Sequence, residues 1–144
     1  MITPLKIQKM KKEGIKIAAL TSYDFSTAKY ADEAGIDLIL VGDSVGQVVL
    51  GYDSTTKVTL DDMKVFTRAV VNGAKNPLIV VDMPFMSYHT GVFEAVKNAG
   101  ELIRLGAGAV KIEGGFDYII DTIKQMTKSG IPVMGHLGFT PQYI

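Results

Sequence analysis

Apolar positions along this chain come in short continuous blocks, and the blocks end on chemistry-bearing residues. Leu38 to Val41 runs into Gly42, Asp43 and Ser44; Leu78 to Val81 ends on Asp82; Ala109-Val110-Lys111-Ile112 ends on Glu113; Ile131 to Met134 leads to Gly135 and His136. Runs of this length and β-branched content fit strands covered on both faces, as in parallel sheets, where ligands gather at the carboxyl ends. An earlier run, Lys16 to Leu20, enters the polar string Thr21-Ser22-Tyr23-Asp24 and supplies a first strand. Helical patterns fill the gaps: Ser26 to Ala34 closed by Gly35, a Thr59-capped segment from Leu60 to near Gly73, Gly91 to Leu105, and Phe116 to Lys128. A short leading helix has Thr3 as cap, Pro4 at its first position and Gly14 as stop.

The chain is therefore α/β, with a βα unit recurring four times and a fifth strand opening another. Two architectures fit that pattern. One is a compact five-stranded doubly wound sheet, the frame of a flavodoxin-like binding module; the other is the first part of a (β/α)8 TIM barrel, which takes about 250 residues. The sequence stops just after the fifth strand without a helix to cover it, which favours an incomplete barrel. The connection after Asp43 is long and punctuated by Gly46 and Gly51, as expected of an active-site loop.

Composition narrows the function classes. The 144 residues make one domain, 1–144, and 47% hydrophobic with 21% charged residues is ordinary for a soluble globular protein. Lys+Arg and Asp+Glu are both 15, so bulk charge recruits neither nucleic acid nor an anionic membrane. The absence of cysteine excludes disulfides, thiolate metal sites and a cysteine nucleophile, and is compatible with a reducing cytosol. No apolar stretch is long enough for a signal peptide or a membrane span, and the expected location is cytoplasmic.

On a shared rim, Asp43, Asp82, Lys111, Glu113 and His136 form an oxygen-rich site for a hard divalent cation that presents a small anionic substrate. Each has a plainer reading. Asp43 alone is a common loop or cap residue. Lys111 in an apolar strand could form a structural ion pair with Glu113, two residues on and on the same strand face. His136 fits a satisfied core histidine as well as an active-site group, and His89 reads as a surface or loop residue. Gly114-Gly115 before a helix suits a phosphate cradle or simply a tight turn.

Taken as whole strings, Thr21 to Asp24, Val41 to Ser44 with Val48 to Thr55, Val58 to Met63, Val81 to Tyr88, Val110 to Gly115 and Pro132 to Gly138 resemble ketopantoate hydroxymethyltransferase, in that family's order and over nearly the whole chain. The resemblance implies a (β/α)8 barrel and one-carbon transfer from 5,10-methylenetetrahydrofolate to 3-methyl-2-oxobutanoate, giving 2-dehydropantoate in pantothenate biosynthesis. It implies a magnesium ion on Asp43 and Asp82 with Glu113 beside it, oxo-acid contacts from Ser44, Asp43, Asp82 and Lys111, a catalytic His136, and a homo-oligomer. Ser22 stands where the family usually has alanine, and Thr56-Lys57 replaces a commoner Leu-Pro pair. Family members are nearly twice as long, and the glutamate that serves them as base lies outside these residues, so the chain resembles an N-terminal half that would not turn over alone. The competing enzyme reading is a magnesium-dependent lyase or mutase of the phosphoenolpyruvate/pyruvate barrel group.

Overall fold

The computed structural model describes residues 1–143. Thr3 accepts the Lys6 N–H and Pro4 opens helix α1, Pro4–Lys12. Strand β1 is Ala19–Thr21, followed by α2, Phe25–Glu33, and β2, Leu38–Val41. The long connection is not bare loop: it holds a short helix, α3, Val45–Val48, and a 3-10 turn, Thr55–Lys57. Then come α4, Leu60–Gly73; β3, Leu78–Asp82; α5, Val92–Arg104; β4, Ala109–Glu113; α6, Asp117–Lys128; β5, Val133–His136; and a last 3-10 turn, Pro141–Tyr143. The Thr59 cap is a full capping box, with Asp62 returning the bond to the Thr59 N–H.

The five strands lie in sequential order, β1-β2-β3-β4-β5, each parallel to its neighbour. A doubly wound sheet places later strands on both sides of the first and reverses direction at a switch point. No such reversal occurs here, so the flavodoxin-like alternative falls and the sheet is the wall of an incomplete barrel.

The two faces of the wall confirm it. Ile39, Val41, Ile79, Val81, Val110 and Ile112 point outward into the main core, where they meet Ala28, Met63, Val70, Ala95, Leu102, Ile119 and Met126 of α2, α4, α5 and α6. Each such burial contributes about 1.5–3 kcal/mol for a large side chain. The alternate residues Leu38, Leu78, Val80 and Ala109 make a separate inner cluster, joined by Leu40 and Met134 and, from the N-terminal segment, by Ile2 and Ile7. By the strand's period of two, Asp82, Lys111, Glu113 and His136 continue this inner face to the carboxyl ends.

Three of the shifted boundaries have a local cause. β1 begins at Ala19 rather than Lys16, because the Asp37 carboxylate takes the Ala18 N–H and the Asp37 N–H returns to the Ala18 carbonyl, which anchors the strand there. Helix α2 starts one residue early on Asp24, whose carboxylate accepts the Thr27 N–H. β5 is Val133–His136 rather than Ile131–Met134: the Ile131 N–H still ends α6 on the Met126 carbonyl, and pairing with β4 opens at the Pro132 carbonyl. The last shift puts His136 inside the strand, directly opposite Glu113.

Candidate metal and oxo-acid site

Register brings the strand-end groups together. Asp82 lies opposite Lys111 and Glu113 opposite His136. Lys111 Nζ stands 2.8 Å from Asp82 Oδ1 and 3.7 Å from Glu113 Oε1. The close partner of the lysine is thus the cross-strand aspartate, not the glutamate on its own strand. Same-strand spacing is readable in a sequence; cross-strand register is not. Two residues past β2, the Asp43 N–H donates to Asp82 Oδ2 at 3.0 Å, which joins the two aspartates. Both are buried, as is Glu113.

Burial and crowding leave the site short of positive charge. The Asp43 carboxyl is pushed up to about 6, first by burial and then by the Asp82 charge, against the pull of a Gln142 hydrogen bond and of Lys111. Asp82 is likewise raised by burial, with the Lys111 ammonium and the Asp43 N–H working the other way. Asp82 Oδ1 is sealed from solvent, and no donor meets it in hydrogen-bond geometry even though the Lys111 ammonium is close. Three carboxylates around one ammonium, one oxygen among them lacking a directed bond, are a donor set suited to a hard divalent cation.

The three carboxylates do not contribute alike. Among the described residues no group of three or more His, Asp or Glu side chains is spaced to hold a metal ion by itself. Glu113 is engaged elsewhere: Oε1 meets His136 Nδ1 at 3.0 Å and Oε2 accepts the Gln142 N–H at 3.2 Å. It stands beside the Asp43–Asp82 pair rather than completing a three-carboxylate cage. Magnesium keeps several waters and is commonly held by only one or two carboxylates.

His136, half-buried, is oriented by Glu113. With Nδ1–H donating to the carboxylate, Nε2 is the nitrogen left to accept a proton or a hydrogen bond. Ser44 Oγ lies 2.7 Å from Tyr23 OH, and a Cβ placed on Gly42 would meet Ser44 Oγ at 2.9 Å and Asp82 Oδ2 at 3.5 Å. Hydroxyl and carboxylate therefore flank one spot, over a residue with no side chain. His89 is in a loop as expected but not at the surface: it is half-buried beside Tyr88, Phe85 and Tyr143, with Nδ1 accepting the Met86 N–H. Gly114 has φ +97, a turn conformation that favours glycine.

Three contributors were missed in the sequence. Tyr23 sits two residues past β1, where the strand-end rule would have found it. Tyr88 and Gln142 carry no such signal; Gln142 comes from the last 3-10 turn and reaches the site only because the chain folds back across β4. A roomier groove of about 530 Å³ between α4 and α5 includes none of these residues, and its Lys64 is already matched by Asp61 and Glu101.

Residues 1–144 match, over their whole length, the family profile of ketopantoate hydroxymethyltransferase. The chain belongs to that family. It is 59% identical over 135 residues to the 3-methyl-2-oxobutanoate hydroxymethyltransferase of Acetivibrio thermocellus, covering 93% of this chain and 47% of that enzyme. The chain spans about half the length of the curated relatives it matches. Among solved structures, 2,3-dimethylmalate lyase, a PEP mutase/isocitrate lyase superfamily member, superposes with TM-score 0.71 at 17% identity, over 94% of this chain and 52% of that one. Phosphonopyruvate hydrolase, solved with oxalate and Mg++, gives 0.75 at 13% identity over 94% and 52%. At such identity the likeness shows the fold, and it is the fold expected for this hydroxymethyltransferase-family chain: the first half of a barrel. No helix among the described residues is long and apolar enough to cross a membrane.

Proposed function

We propose that residues 1–144 are the metal- and substrate-binding part of a single (β/α)8 domain that transfers a hydroxymethyl group from 5,10-methylenetetrahydrofolate to 3-methyl-2-oxobutanoate. The observation that carries this is the buried Asp43–Asp82–Lys111 cluster at the ends of adjacent strands, in a chain more than half identical to enzymes of that name. The lyase reading of the same fold rests on neighbours at 13–17% identity and is the weaker.

Asp43 and Asp82 would hold magnesium, and Glu113 would support them through Lys111 and His136. A cation there supplies electron withdrawal from the keto and carboxylate oxygens of a 2-oxo acid, which acidifies the adjacent C–H. Lys111 Nζ, poised by Asp82, offers N–H donors to the substrate carboxylate. Ser44 Oγ, held by Tyr23, donates beside it. His136 Nε2 accepts a proton or hydrogen bond while Glu113 steadies the ring. The base that removes the carbon-bound proton is supplied, on the family resemblance, by residues beyond 144. On the family resemblance, a homo-oligomeric, cytoplasmic enzyme with the oxo acid and the folate as its small-molecule partners belongs to the same proposal.

A thermal-melt titration tests the site in the chain as it stands. The oxo acid is expected to raise the melting temperature only when magnesium is present, and neither should act on Asp82→Asn. No shift with magnesium and oxo acid together would overturn the proposal.

A further inference from the structure

The most completely bonded side chain near the aspartates belongs to Gln142, which nothing in the sequence marks. Its residue is buried, and both ends of its side-chain amide are bonded. Nε2 donates to Asp43 Oδ2 at 2.8 Å and to the Met83 carbonyl at 3.0 Å; Oε1 accepts from Tyr88 OH at 2.7 Å; the backbone N–H donates to Glu113 Oε2 at 3.2 Å.

The orientation of this amide follows from its partners. A backbone carbonyl can only accept, and so can an ionised carboxylate, so the NH2 end must face Met83 and Asp43. The Tyr88 hydroxyl can donate or accept, and it is left to donate to Oε1. Tyr88 is itself fully buried, and burial together with neighbouring tyrosine and glutamate groups drives its phenol upward from the ordinary value, so it stays protonated and able to donate. The turn that carries Gln142 also has an anchor of its own in the backbone bond to Glu113.

The amide occupies one oxygen of Asp43 and not the other. Asp43 Oδ1 takes no hydrogen bond from a described residue and is not among the sealed, unpartnered atoms. A carboxylate free to rotate could offer a cation either oxygen, or turn away from Asp82 altogether; one pinned through Oδ2 presents a single fixed oxygen. Resting on the assignment of Asp43 as a metal ligand, we propose that Gln142 is a positioning residue: its amide, fixed by Tyr88 and the Met83 carbonyl, pins Asp43 Oδ2 and leaves Oδ1 for a divalent cation. Outer partners of metal ligands act in this way, and removing one typically costs about 10- to 100-fold in metal affinity.

The test is Mn2+ binding followed by electron paramagnetic resonance at neutral pH, on the whole chain, alongside its melting temperature. Gln142→Leu keeps the bulk without the amide. Gln142→Asn keeps an amide one methylene too short to span Asp43 and Tyr88, and serves where the leucine variant does not fold. Both are expected to bind Mn2+ roughly 10- to 100-fold more weakly than wild type, with Tyr88→Phe between them and wild type, while Asp43→Asn abolishes binding. A structural clasp would lower the melting temperature and leave the affinity of the folded protein alone. Unchanged affinity in the Gln142 variants, with Asp43→Asn still defective, overturns this inference and spares the metal site. Tighter binding also overturns it, since the amide would then be occupying the cation's place. Wild type that fails to bind Mn2+, or Asp43→Asn that binds like wild type, overturns the metal assignment and the inference with it.

Discussion

Replacing Asp43 by asparagine should make the metal-free chain more stable while destroying its metal site. The folded carboxyl titrates near 6 against 3.8 in an unconstrained chain. Between those values the folded chain holds the proton that the unfolded chain has released, so stability falls as pH rises through that window and stays low above it. The gap of about two units corresponds to roughly 3 kcal/mol. Asparagine removes the charge but keeps the backbone N–H for Asp82 Oδ2, and its carbonyl oxygen can still accept from Gln142 Nε2. In EDTA at neutral pH, Asp43→Asn should therefore melt higher than wild type, by about 2–4 °C per kcal/mol for a domain of this size. The two melting curves should converge in acid, below 3.8, where the wild-type carboxyl is protonated in both states. Added magnesium should raise wild type and leave the variant unmoved. Calorimetric melts across pH decide it: a variant that melts at or below wild type at neutral pH, or a gap that persists in acid, would refute the reasoning.

Lys111→Met strips the ammonium from Asp82 at a buried site, and breaking such a pair costs about 3–5 kcal/mol; urea unfolding at neutral pH should show it, and unchanged stability would mean the ammonium does not compensate the aspartate. Gly42→Ala puts a methyl against Ser44 Oγ and within 3.5 Å of Asp82 Oδ2, so Mn2+ affinity should fall more than the melting temperature does; equal affinity would show that the spot has room to spare. The 144-residue chain assayed alone with oxo acid, magnesium and methylenetetrahydrofolate should form no product above background, since loss of a general base typically costs about 10²- to 10⁴-fold; steady turnover would place the base within these residues.

What the sequence disclosed, it disclosed through local periodicity. The runs ending at Val41, Asp82 and Glu113 marked β2, β3 and β4 because both faces of those strands are covered, and the Thr3 and Thr59 caps appeared because capping is a contact over three residues. The choice between barrel wall and doubly wound sheet needed strand order, which depends on contacts far apart in the chain. The same limit hid the site's partners. Counting along one strand offers Glu113 as an ion-pair partner for Lys111, whereas its nearer contact is Asp82 on the next. Gln142 lies 99 residues from the carboxylate it holds, and no window of sequence relates them. β5 was set two residues early because Ile131 is apolar and buried; that apolar character serves the core at the end of α6, not the sheet.

The bond from the Asp43 N–H to Asp82 Oδ2 also bears on how the wall assembles. Along β2 and β3 the partners run Leu38 with Leu78 through Val41 with Val81, and Asp82 then lends its side chain to the Asp43 N–H, two residues beyond the strand. Parallel strands of uniformly apolar residues have little to tell one alignment from the next. Slipping β3 by a single residue would exchange its faces, turning Asp82 away from Lys111 and into the outer core with Val81's present neighbours. An unpaired carboxylate there would cost several kcal/mol. The acidic strand end is thus an alignment mark as well as a proposed ligand, and it penalises the misthreaded sheet before any cation or substrate arrives.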